Sequence, residues 1–212
     1  MASTAISAQG TLIQIGTSSG TAKSITAVAV GNPTIFTSAA HGFANGDAVT
    51  LAGVTGADAA LFNGLSFIVQ SKTANTFALG VDTTGKAITA TGTATPVLLT
   101  TIGNIKTFSG NDGEASEIDV TNVQSTAKEY ILGITDPGHM QWDFDYKKGD
   151  AGQDACAAAK VSGALKTFKI TLSDNTAYTF SAFVKKFDIK GGVDAVYKST
   201  MNLRVTGPVT IA

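Results

Sequence analysis

The stretch Met140-Gln141-Trp142-Asp143-Phe144-Asp145-Tyr146 alternates large apolar and polar side chains without interruption. Successive side chains of a strand point to opposite faces. Met140, Trp142, Phe144 and Tyr146 therefore share one face, suited to a core, and Gln141, Asp143 and Asp145 share the other. The next segment changes period. Residues 150–161 read as the one good helix of the chain, with Asp150 as its N-terminal cap, alanines through its body and Gly163 as its stop. Three strands follow. Residues 165–172 and 177–187 are joined by a tight turn at Ser173-Asp174-Asn175. After a Gly191-Gly192 break, 195–206 puts Tyr197, Ser199, Met201, Leu203 and Val205 on one face. The apolar face of 178–189 changes parity from Tyr178 and Phe180 to Phe183, Phe187 and Ile189, which predicts a bulge near Ala182. Upstream, 102–109 and 117–123 read as strands around a Gly-Asn-Asp-Gly turn at 110–113, and 124–129 as a loop.

Residues 24–97 differ in composition. They contain five charged residues, Asp47, Asp58, Lys72, Asp82 and Lys86, whereas 98–212 carry 12 basic and 13 acidic ones and all four tyrosines. Short strands are expected at 25–30, 34–38, 48–51, 65–71 and 76–79, with 88–92 closing the set. Gly31-Asn32-Pro33, His41-Gly42 and Asn45-Gly46-Asp47 supply turns, and 53–63 a loop. Strands this short, with no long helix, suit a small β-barrel or sandwich. The flanks 11–15 and 97–102 both look like strand fragments, and removing about 20–97 would join them into one hairpin. Hence 24–97 reads as a module inserted into a loop of a discontinuous domain made of 1–23 and 98–212.

Composition narrows the function. Charged residues make up 15% of the chain, hydrophobic ones 43%, and there are 23 glycines, which suits many strands and tight turns and not a disordered tail. The net charge of −1 offers no field to draw nucleic acid or an anionic membrane. Cys156 is the only cysteine, so no disulfide can form within the chain, and a reducing compartment fits. In its helix it reads as a small buried side chain. Residues 1–20 show no signal peptide, and no apolar run is long enough to span a membrane.

Several near-motifs dissolve on inspection. Ser125-Thr126-Ala127-Lys128 fits S-x-x-K and Ser173-Asp174-Asn175 fits S-D-N, but the third element, K-T-G, is missing, and Lys166-Thr167-Phe168 stands on the wrong side. Turn chemistry explains both. Lys23-Ser24 ends a stretch that holds Thr17 and Ala22 where a phosphate loop needs glycine. His41 and His139 each sit beside glycine, 98 positions apart and without a nearby cysteine, so no metal site is expected. Lys147-Lys148 and Lys185-Lys186 are too short for a nucleic-acid footprint. No catalytic residue, cofactor or metal is assigned.

An ordered set of segments resembles the major tail tube proteins of long, non-contractile-tailed bacteriophages. Ile102-Gly103-Asn104-Ile105-Lys106-Thr107-Phe108-Ser109-Gly110 and Ala115-Ser116-Glu117-Ile118-Asp119-Val120-Thr121 resemble the opening of the domain. Ser125-Thr126-Ala127-Lys128-Glu129-Tyr130 resembles its mid-domain loop, and 138–146 the strand before its single helix. Residues 178–187 and 199–207, closing on Arg204-Val205-Thr206-Gly207, resemble its last two strands, and 2–16 its start. The insert departs from that pattern and is similar to small β-modules of phage structural proteins.

The resemblance implies a mainly β fold: an antiparallel β-sandwich with one flanking α-helix, plus the inserted β-module. It further implies a non-enzymatic virion subunit, made and assembled in the bacterial host cytoplasm. Six copies would form a ring, and rings would stack into a tube that holds the tape measure protein and later conducts DNA. Tail terminator and distal tail or baseplate proteins would meet its ends, with no membrane contact. Two sets of residues are candidates for this role. Glu117, Asp119, Asp143 and Asp145 would give the lumen an acidic face that does not grip DNA. The loop Val123-Gln124-Ser125-Thr126-Ala127-Lys128-Glu129-Tyr130 would stack one ring on the next. The alternative is a decoration module on the virion, the insert holding a host-surface carbohydrate or protein.

Overall fold

The structure, a computed structural model, describes residues 7–89 and 91–211. In chain order the strands of the first half are β1 (Leu12–Ser19), β2 (Lys23–Ser24), β3 (Ala27–Ala29), β4 (Thr34–Thr37), β5 (Ala48–Ala52), β6 (Ser66–Gln70), β7 (Thr76–Leu79) and β8 (Thr93–Thr101). Then come β9 (Ile105–Gly110), β10 (Ala115–Asp119), β11 (Tyr130–Thr135), β12 (His139–Asp145), the helix α1 (Ala151–Ser162), β13 (Lys166–Thr171), β14 (Ala177–Phe187) and β15 (Lys198–Ile211). The named strand pairs are antiparallel. The fold is the mainly β architecture that the sequence and the resemblance led to, with one α-helix among the described residues beside a 3-10 turn at Ala59–Leu61.

The chain divides into two compact units. One takes the chain as far as Ile102 together with Thr167–Thr179 and the end of β15 from Thr210; the other is Gly103–Lys166 with Phe180–Val209. The first boundary between these units falls after β8, which does two jobs. Its first half pairs with β2 and β5, and its second half pairs with β1.

In the first unit the strand order is β3-β4-β7-β6-β5-β8-β1-β13. The strands expected at the seam lie side by side, with Gln14 opposite Thr101 and Ser19 opposite Val97. Between those ends the chain builds a core from its own residues, including Phe36, Val49, Leu51, Phe62, Phe77 and Leu79. Phe36 meets Phe62 edge-on at 5.1 Å and stacks on Phe77 at 5.7 Å. The turn residues flagged in the sequence hold this module closed. His41 is buried; its Nδ1 accepts from the Phe43 N–H at 3.0 Å, which places the ring proton on Nε2, facing the Thr76 carbonyl at 3.2 Å. Asn63 pairs with both backbone groups of Val54, at 2.9 and 2.8 Å, and closes the 53–63 loop as a strand partner would. Among the described residues of 88–92 no strand forms, and Thr89 makes a bridge to Thr55. Gly92 explains the break. Its φ is +137°, and a Cβ would stand 2.6 Å from the Ala52 carbonyl oxygen.

The second unit has the order β14-β15-β12-β9 and a separate two-stranded sheet, β10-β11. β12 is its central strand, with Trp142 opposite Met201 on one side and Phe108 on the other. As the alternation required, Met140, Trp142 and Phe144 are buried, and so are Met201, Leu203 and Val205 of β15. The expected bulge near Ala182 is not where parity breaks. Phe180, Ala182 and Val184 are buried in step and Phe183 is exposed; the step is lost at Lys185-Lys186, both exposed, after which Phe187 packs on Phe144 at 5.6 Å. Regular alternation would turn Lys186 inward after Val184, and its exposure places the shift there.

The helix behaves as read. The Asp150 carboxylate accepts from the Gln153 N–H at 2.9 Å, and Gly163 ends the helix with φ +64°.

The aromatic triad of the first unit yields a direct expectation. Phe36→Ala should lower stability to denaturant by about 3–5 kcal/mol and strip hydrogen-exchange protection from β4 and β7 first. A loss below about 1 kcal/mol would mean that this core is not what holds the module.

Candidate assembly surfaces

The β10-β11 hairpin is exposed along nearly all of its length. Ile118 lies opposite Ile131, Glu117 opposite Leu132 and Asp119 opposite Tyr130. One face thus carries Ile118 and Ile131, and the other carries Tyr130 and Leu132 with Glu117 and Asp119; the register shifts between Ala115 and Glu117, and Ile134 lies beyond that shift. All of these apolar side chains are exposed, Leu132 by 73% and Ile134 by 90%. A two-stranded sheet has no interior of its own and is marginal in water. The sequence reading assigned no strand to 130–135, although Tyr-Ile-Leu-Gly-Ile-Thr is rich in β-formers.

The loop expected at 124–129 links these strands, and Tyr130 already opens β11. It is ordered by its own polar groups. The Ser125 hydroxyl donates to Glu129 at 2.9 Å and receives the Asn122 N–H at 3.1 Å. Lys128 pairs with Asp119 at 2.7 Å, and the Thr121 hydroxyl accepts the Glu129 N–H. Val123 stands fully exposed at the tip. Ser125 and Lys128, the near-motif pair, therefore have separate structural partners. Ser173-Asp174-Asn175 is likewise a turn, with Asp174 accepting the Thr176 N–H at 2.9 Å and Asn175 at φ +69°.

The four candidate acidic residues fall on two different sheets. Glu117 and Asp119 belong to the hairpin; Asp143 and Asp145 belong to β12. On the polar face of β12, Asp143 sits between Thr107 and Thr200. It accepts from both hydroxyls, at 3.1 and 2.6 Å. The Thr200 hydroxyl is the main reason its carboxyl lies below the usual range; burial opposes the shift and the Thr107 hydroxyl adds to it. Asp145 pairs with Lys106 at 3.0 Å. Lys190 and Lys198 line the same groove, so both signs of charge stand beside the two acids.

Next to it, the chain between β14 and β15 forms a loop anchored on Asp188. The Thr200 N–H donates to its carboxylate at 2.7 Å, Lys186 and Lys190 pair with it at 3.0 and 3.3 Å, and the Ser199 hydroxyl donates to its backbone carbonyl. Burial opposes the ionised form of Asp188, but the Thr200 N–H and the two ammonium groups outweigh it and hold the carboxyl at about 2. Beyond this anchor, Ile189, Val193, Val196 and Tyr197 are exposed.

A residue that the sequence reading passed over organises the other end of the second unit. Gln153 is fully buried. Its Oε1 accepts from the Lys147 N–H at 2.9 Å, and its Nε2 donates to the carbonyls of Gly103 at 2.9 Å and Asp145 at 3.1 Å. No pattern marks it, because a glutamine in the first turn of a helix is ordinary. Cys156, on the same helix, is buried, and that burial, with the nearby Asp150 charge, pushes its thiol up to about 12, far from a reactive thiolate. No cluster of metal-ligating side chains occurs among the described residues, and no helix among them is long and apolar enough to cross a membrane.

Among the described residues the arrangement is that of a β-rich chain with a solvent-exposed apolar hairpin and with β9 at the end of its sheet order. Residues 80–177 match the family of phage tail tube proteins described as lambda-like, a likeness that overlaps the ordered segments between 102 and 146. No curated protein matches. Among solved structures, a chain from the C6-symmetric tail of an empty GTA particle is 15% identical, with a TM-score of 0.47, covering 54% of this chain and 86% of its own. A chain from the virion of a native gene transfer agent particle is 14% identical, again at 0.47, covering 54% and 88%.

Two outcomes follow from these contacts. Gln153→Leu strands three backbone groups and should cost about 2–4 kcal/mol, read from the Trp142 fluorescence transition. Because the Asp188 pKa is depressed, its contribution is complete above about 3.8 and is lost as pH falls towards 2. Exchange protection of Thr200 should hold from pH 7 to about 4 and fall below that, and Asp188→Asn should abolish the acid-dependent part.

Proposed function

We propose that the chain is the repeating subunit of a phage tail tube, a structural protein without enzymatic activity. Six copies close into a ring, rings stack into a hollow tube, and the lumen accommodates the tape measure protein and then passing DNA. The six-fold ring and these partners, with terminator and distal tail proteins at the tube ends, rest on the family resemblance. So does the place of assembly, the host cytoplasm, with the virion tail as the destination.

The observation that carries the reading is the β10-β11 hairpin. Its apolar side chains are exposed on both faces, and such a hairpin is stable only against another surface. The loop Val123–Tyr130 at its end is held rigid by Ser125, Lys128 and Glu129 and is proposed as the ring-stacking element. The free edge of β9, next to β12 at the end of the sheet order, is proposed to pair with a strand of the neighbouring subunit, since open edges pair readily with other chains. A head-to-tail contact that closes gives a ring, and one that does not close gives a filament.

Asp143 and Asp145 are proposed to face the lumen, where Lys106 pairs with Asp145. A balanced face avoids the tight, salt-dependent hold on phosphate that a basic one would have. Glu117 and Asp119 are proposed to serve at the contact between rings.

Residues 24–97 are proposed to be an inserted module. Its core cluster lies wholly within 25–94, and Ser19 lies opposite Val97 where the chain leaves and returns.

Electron microscopy at rising protein concentration tests the assembly reading: hollow tubes are expected, and a chain that stays strictly monomeric at high concentration overturns it. Leu132→Asp with Ile134→Asp should abolish tubes while leaving the circular dichroism of the subunit unchanged. Replacing 20–96 by a two-residue Asn-Gly turn should leave tubes intact but thinner in outline; loss of the folded subunit would refute the insertion.

A further inference from the structure

We propose that residues 188–198, the loop between β14 and β15 with the first residue of β15, are the receptor on one copy for the β10-β11 hairpin of another. The inference rests on the tube reading and adds to it the surface on which the hairpin lands.

The hairpin needs an apolar surface, and the second unit offers one on the same chain. Ile189, Val193, Val196 and Tyr197 are exposed within nine residues, Val193 by 95% and Tyr197 by 64%. Four large apolar side chains displayed together mark an interaction site more than a solvated loop. The backbone beneath them is fixed. Lys190 and Lys198 exchange both backbone hydrogen bonds, at 2.7 and 2.8 Å, and Gly191 lets the Tyr197 ring lie close, since a Cβ there would stand 2.8 Å from it. The patch is therefore preformed, and docking on it orders little new chain.

Charge selects the partner. Residues 112–136, which contain the hairpin, hold six carboxylates and one lysine, Lys128. Residues 185–198 hold four lysines, Lys185, Lys186, Lys190 and Lys198, against Asp188 and Asp194. Lys186 and Lys190 are engaged with Asp188, so Lys185 and Lys198 are the cations that best meet an incoming acid. On the hairpin, Glu117 shares a face with Leu132, so its carboxylate and an apolar anchor arrive together. Acidic and apolar meets basic and apolar, and each copy carries both halves. A contact of that kind is heterologous and propagates from copy to copy. Like-charged approach, hairpin to hairpin or loop to loop, is disfavoured, which gives the stack a direction.

A charge exchange on the full-length protein tests this. Glu114→Lys with Glu117→Lys inverts the hairpin, and Lys185→Glu with Lys198→Glu inverts the receptor. Each pair alone should raise the concentration needed for tubes by about tenfold at low salt, with the subunit still folded by circular dichroism. An equimolar mixture of the two variants should assemble again, because each then meets its opposite charge. Val193→Asp, a substitution at an exposed loop position, should weaken assembly in the same assay without affecting the fold. Assembly unchanged in every variant, or lost in both charge variants and not restored on mixing, overturns the proposed contact even while the native chain forms tubes. Failure of the native chain itself to form tubes at any concentration would instead strike at the tube reading.

Discussion

Each β-strand presents two backbone edges, and in the second unit the pairing of β12 uses both of its own. With β15 on one side and β9 on the other, β12 fixes the register of the sheet, and its alternating side chains send Met140, Trp142 and Phe144 inward. A slip of one residue would exchange that set for Gln141, Asp143 and Asp145. The polar face follows from the same constraint, since Thr107, Asp143 and Thr200 are brought into one row only by this register. The outer edge of β9 is what remains after β12 is satisfied, and the proposed assembly begins there.

Polar residues at the ends of strands do comparable work. Gln153 ties the start of the helix to the carbonyls of Gly103 and Asp145, and Asp188 ties the 188–198 loop to β15 through Thr200. In the first unit, His41 and Asn63 supply hydrogen bonds that the strands themselves do not reach. These groups are buried or partly buried and are partnered, as buried polar groups must be. They leave the apolar surfaces of the hairpin and the loop as the features that the isolated chain does not account for.

Much of this was legible in the residues. The alternation at 140–146, the cap at Asp150, the stop at Gly163 and the hairpin turn at 173–175 are local signals, and local signals survive in any context that does not override them. Strand β11 was missed because its Gly133 interrupts the alternation and its neighbours never become a core. The balance of charge beside Asp143 and Asp145 was not legible for a different reason. The lysines there, Lys106, Lys190 and Lys198, come from remote parts of the chain, and pairings at such separation leave no trace in spacing. The bulge near Ala182 was an inference from parity alone; Lys185 and Lys186 decided where the parity changes.

By itself the sequence determined the class of fold, the single helix and its ends, the absence of a disulfide within the chain, and an ordered likeness to tail tube proteins, because each of these depends on residue type and short-range order. Tertiary structure alone decided that β8 serves two sets of partners, that the candidate acids split between two sheets, that Gln153 is a buried tie, and that an acidic apolar hairpin and a basic apolar loop stand uncovered on one unit. Those facts depend on which distant segments share a hydrogen-bond register and which side chains no neighbour reaches, and such distances are set only when the chain has folded.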